Sequence, residues 1–63
     1  MNKISENELL SIVERYGYTL IDKYSSLKAV KLHPKMESPV FGGGDRYWQL
    51  KHIAAWIMET EEE

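Results

Sequence analysis

Residues 38–59 read SPVFGGGDRYWQLKHIAAWIME. Two short apolar pieces, VF and RYW, flank GGGD, and glycine supplies the positive φ that several hairpin turns need. The stretch predicts two short strands around a glycine tip, then a helix over QLKHIAAWIMET. Leu50, Ile53, Ala54 and Ile57 share one face of that helix, with Trp56 adjoining. Such a hairpin has two uses. It can be a plain turn, or a wing whose bare backbone lies against a nucleic-acid phosphate chain.

Upstream, HPKMESP reads as a loop, because Pro34 and Pro39 each lack an amide donor and push their preceding residues toward extended geometry. Before it, GYTLIDKYSSLKAVKL predicts a second helix capped by Thr19, with Leu20, Tyr24 and Leu27 in one stripe and Ile21 beside it. Its end is undefined: Ser25 and Ser26 weaken it, and VKL fits a short strand or a last helical turn. At the start, SENELLSIVERYG predicts the clearest helix. Ser5 caps it, Glu8 completes a capping-box pattern, Leu9, Ile12, Val13 and Tyr16 share a face, and Gly17 stops it. Helix, glycine turn and helix together outline a helix-turn-helix.

The chain has 63 residues and no cysteine, which predicts one domain without a disulfide or thiolate metal site, suited to a reducing compartment. A domain of this size buries only roughly 60% of the surface its unfolded chain exposes. No apolar run approaches the roughly 18 residues of a membrane span, and MNKISENELL lacks a signal peptide's apolar core. These features predict a soluble, cytoplasmic protein. Charge is segregated. Residues 15–52 hold seven basic side chains against Asp22, Glu37 and Asp45, a net of +4, while residues 1–14 carry −2 and residues 53–63 carry −4. A basic middle between acidic ends points to an anionic partner for the middle. Residues 60–63 are expected to fray as an acidic tail.

Catalytic chemistry finds little support. His33 and His52 have no second ligand at metal-binding spacing. The glycine run lacks the Lys-Ser or Lys-Thr of a phosphate loop, and no serine has a plausible base and orienting acid around it. The expectation is a non-enzyme with no cofactor, no metal and no small-molecule substrate.

The order of elements resembles the small phage and prophage winged-helix regulators of the AlpA and excisionase (recombination directionality factor) kind. The matching residues are Pro39, Val40, Gly42, Gly43, Trp48, Ile53 and Trp56, preceded by Gly17, Thr19 and Tyr24 as turn glycine, helix cap and second-helix tyrosine. The lambda-type terminase small subunit is similar, with a related winged helix. The resemblance implies an α+β winged helix-turn-helix of three helices and a two-stranded β-hairpin wing. It implies a second helix in the major groove presenting Thr19, Lys23, Ser26 and Lys28, backbone contacts from Lys31 and Lys35, and a wing of Gly43, Gly44 and Arg46 on phosphates or in the minor groove. Trp48 and Trp56 are expected in the core, and Tyr16, Tyr18 and Tyr24 in core or half-buried positions. The implied partner is double-stranded DNA, together with an integrase or further copies of the chain. The implied task is excision, with DNA bending, or transcriptional regulation. The alternatives are a small protein-binding module and a terminase-like packaging factor.

Overall fold

The computed structural model describes residues 3–62. Ser5 begins the first element: its hydroxyl accepts the Glu8 N–H at 3.2 Å and starts helix α1, Glu6–Arg15. Leu9 and Val13 are buried, with Ile12 and Tyr16 packed beside them. Gly17, at φ +83°, ends the helix. The Tyr18 N–H reaches the Val13 carbonyl and the Gly17 N–H the Glu14 carbonyl, both at 3.0 Å. That pair is a Schellman stop, and it uses the left-handed backbone glycine permits.

The second helix expected after Gly17 does not form. Thr19–Lys23 is strand β1 and Ser26–Leu32 is strand β2, paired antiparallel from Thr19↔Val30 to Lys23↔Ser26. Thr19 opens a strand and caps no helix. The physical reason is periodicity. Leu27 and Ala29 are buried while Ser26, Lys28 and Val30 around them are not, and this period of two belongs to a strand with one covered face. The apparent helical stripe of Leu20, Tyr24 and Leu27 spans two strands and the turn between them. Strand β3, Lys35–Glu37, pairs with β2 from Val30↔Glu37 to Leu32↔Lys35, across a turn holding a cis His33–Pro34 bond. The sheet order is β1-β2-β3.

The chain then continues beside β2. The Ser38 N–H donates to the Ala29 carbonyl, and the Ala29 N–H donates to the Ser38 hydroxyl, both at 2.9 Å. Phe41 exchanges two backbone hydrogen bonds with Leu27, at 2.8 and 3.0 Å. Pro39, which has no N–H to donate, sits in this interrupted edge.

No hairpin wing follows. Gly43 and Gly44, at φ +76° and +64°, lead into Asp45, whose carboxylate accepts the Trp48 N–H at 2.8 Å. Asp45 thereby caps helix α2, Arg46–Glu61, and RYW is the helix's first turn instead of a strand. Helical geometry continues through Glu61, with Glu62 as C-cap; the remainder of the expected acidic tail, Glu63, lies outside the described residues.

The architecture is therefore two helices and a three-stranded antiparallel sheet, in place of three helices with a two-stranded wing. Leu9, Val13, Tyr18, Leu27, Ala29, Leu50, Ile53, Ala54 and Ile57 form its core. Each fully buried Leu or Ile contributes about 1.5–3 kcal/mol of transfer free energy. Trp56 is half-buried, edge-on to Tyr18 with ring centroids 5.9 Å apart. Trp48, expected in the core, is 43% exposed and lies over His52. Among the described residues, no helix is long and apolar enough to cross a membrane.

Candidate nucleic-acid interface

Both helices cover one face of the sheet. Leu20, Leu27 and Ala29 point toward them, and the residues between point away. The register places Thr19, Ile21 and Lys23 of β1, Ser26, Lys28, Val30 and Leu32 of β2, and Lys35 and Glu37 of β3 on the uncovered face. Five of the nine residues read from the sequence as DNA-contacting thus share one surface: Thr19, Lys23, Ser26, Lys28 and Lys35. A recognition helix does not gather them; strand alternation does.

The other four lie elsewhere. Lys31 has the opposite parity on β2 and reaches Glu61 at the end of α2, its ammonium also 5.1 Å from the Tyr18 ring centroid. Glu61 accepts the Tyr18 hydroxyl at 2.8 Å as well. The Lys31 hydrogen bond, then that of Tyr18, holds the Glu61 carboxyl below its usual range. Burial, followed by the hydrogen bond to Glu61, pushes Tyr18 up to about 12. Tyr16 donates to Glu62 in the same corner. Arg46 is the first residue of α2, where a cation opposes the helix dipole. Two acids hold it there: Asp22 at 2.8 Å and Glu6 at 3.8 Å. Gly43 and Gly44 flank this cluster. The buried Gln49 amide donates to the Gly43 carbonyl at 3.1 Å and to the Ser25 carbonyl at 2.9 Å. The glycine loop is thereby joined to the β1–β2 turn, with Asp22 beside it.

On the uncovered face, Glu37 pairs with Lys28 at 2.6 Å and lies 3.6 Å from Lys35. The Lys28 hydrogen bond depresses the Glu37 carboxyl. Glu37 is the only acid on this face among the described residues, so Lys23, Lys28 and Lys35 leave a surplus of positive charge. Apolar groups interleave with the lysines: Ile21 is 45% exposed, Val40 61% and Leu32 68%. Ile21, Lys23, Tyr24, Ser26, Lys28 and Val40 line a shallow depression there. Ile21 and Val40 had no place in the sequence-derived site. The signal that finds Ile21 is the in-out alternation of SLKAV, extended to β1 by pairing; Val40 follows no such pattern. Tyr24, expected in the core or half-buried, is 90% exposed at the β1–β2 turn.

Among the described residues, no group of three or more His, Cys, Asp or Glu side chains could hold a metal ion. Comparison with family models, curated proteins and solved structures gives no match for this chain.

Proposed function

We propose that this chain is a small nucleic-acid-binding protein that engages phosphate backbones, those of double-stranded DNA included, through the uncovered face of its sheet and performs no chemistry itself. One observation carries the reading: Lys23, Lys28 and Lys35 share a surface with Glu37 alone among the described acids, while the other acids lie on the helices, at their caps and on the helix-facing side of β1. Phosphate contacts of this kind position a protein without reading sequence. The lysines supply charge but no planar bidentate fork, so base discrimination is weak.

With Glu37 offsetting one of the three lysines, two net contacts give a salt slope of roughly −1.8 and only weak binding by one copy. Useful occupancy then requires neighbouring copies on the DNA or a larger partner such as an integrase. On this reading the chain acts as an accessory factor in recombination or transcription.

Fluorescence anisotropy with a labelled random duplex tests this. Affinity should fall roughly 12-fold between about 50 and 200 mM salt. Lys23→Glu with Lys35→Glu should abolish binding, and Arg46→Ala should leave it intact because Arg46 is occupied by Asp22 and Glu6. Salt-independent binding, or loss with Arg46→Ala alone in a folded protein, would overturn the reading. A second reading is docking of an acidic protein segment on the same face, which the exposed Ile21, Leu32 and Val40 favour. Binding that survives high salt and ignores DNA would select it.

A further inference from the structure

The β1–β2 turn is an unusual place for a tyrosine. Tyr24 and Ser25 have φ of +53° and +61°, the paired positive values of a two-residue hairpin turn that Asn-Gly suits and bulky side chains resist. The chain has four tyrosines. Tyr18 is buried against Trp56, Tyr16 donates to Glu62, and Tyr47 donates to the Ile4 carbonyl. Tyr24 alone among them projects almost fully into solvent, 90% exposed, and contributes nothing to the core. Tyr24 also lines the depression it shares with Ile21, Val40, Lys23 and Lys28. The Lys23 ammonium lies 5.4 Å from the ring centroid.

Building on the proposed nucleic-acid reading, we infer that Tyr24 and this depression form a stacking site for an unpaired base, with Lys23 and Lys28 on the flanking phosphates, so that the face prefers single strands to duplex. An aromatic ring beside a positive groove is the recurrent device for single-stranded binding, because every base presents a π-face once it leaves the duplex. A paired base keeps its faces covered by its neighbours. Duplex can therefore use the lysines but not the ring. The strained backbone at Tyr24 fits this assignment, since a turn optimised for stability alone has better residues for that position.

The test uses the full chain, a labelled oligothymidylate and a random duplex of equal length, read by anisotropy at low salt. Tyr24→Asn removes the ring while keeping a residue that tolerates positive φ, and Tyr24→Phe keeps the ring. One stacked base is worth roughly 5- to 150-fold in affinity. The wild type should prefer the oligothymidylate by that factor, Tyr24→Phe should retain the preference, and Tyr24→Asn should lose it while duplex affinity stays unchanged. Thermal unfolding should show Tyr24→Asn at least as stable as the wild type, which excludes misfolding as the cause. Unchanged oligothymidylate affinity in Tyr24→Asn overturns this inference alone. Absence of binding to either probe by the wild type overturns the face reading, and this inference with it.

Discussion

The two places where the backbone turns left-handed twice in succession make an instructive pair. In the Gly42–Gly44 loop, Gly43 and Gly44 have φ of +76° and +64°; at the β1–β2 turn, Tyr24 and Ser25 have +53° and +61°. The first site uses residues that meet the geometry without steric penalty. The second uses side-chain-bearing residues at a penalty of about 1–2 kcal/mol each. The strained turn is held by its surroundings. Lys23↔Ser26 pairing closes it, the Ser26 hydroxyl donates to the Lys23 carbonyl at 2.6 Å, and Gln49 grips the Ser25 carbonyl. Glycine thus marks where the chain must only pass, and the tyrosine marks where a side chain is kept despite the backbone. That contrast explains why the turn with the weaker sequence signal is the one beside the candidate site.

Removing the link between the two turns should have the largest effect. Gln49→Leu deletes the hydrogen bonds to Ser25 and Gly43 and should destabilise by about 1–3 kcal/mol in denaturant unfolding. Next comes Gly44→Ala, which forces φ +64° on a residue with a Cβ and brings that Cβ to 3.4 Å from Trp48. A loss of about 1–2 kcal/mol should follow. If the glycine loop carries no conformational demand, that variant will unfold like the wild type. The opposite sign is expected at the other turn: Tyr24→Asn should stabilise by about 1 kcal/mol, read as a rise in Tm. A drop in Tm would show that the tyrosine holds the turn instead of straining it.

A separate effect comes from pH, at the Tyr18–Glu61 corner and at Glu37 on the uncovered face. Tyr18 is raised from 10.0 to about 12, so its contribution is complete below pH 10 and disappears as pH climbs toward 12. Glu37 and Glu61 are depressed below 4.5, so theirs is present above that value and disappears as pH falls through their folded values. Stability measured against pH should decline at both ends, and the alkaline decline should shrink in Tyr18→Phe, the remainder coming from Tyr16, which its hydrogen bond to Glu62 also raises.

Much of the helical layer was legible in the chain. Ser5 and Gly17 punctuate α1, and Leu50, Ile53, Ala54 and Ile57 trace the buried face of α2. The sheet was misread for a physical reason. Leu20, Tyr24 and Leu27 stand four and three apart, which imitates a helical stripe, and the Tyr24–Ser25 turn carries none of the Gly, Asn, Asp or Pro that announce a reversal. The glycine run then drew the hairpin to itself, although Asp45 three residues before Trp48 already spelled a helix cap. The basic middle was visible as charge, but sorting it needed the correct period. With period two, Lys28 faces solvent and Lys31 turns toward Glu61. Arg46 read as free because Asp22 and Glu6 are distant in sequence.

The most direct measurement is a nitrogen-15 NMR titration of the folded chain with nucleic acid at low salt. Amide shifts should concentrate at Thr19, Ile21, Lys23, Tyr24, Lys28, Lys35 and Val40, with α1 and α2 largely silent. Shifts centred on the helices or on the Gly42–Gly44 loop, or no shifts at all, would contradict the proposed interface.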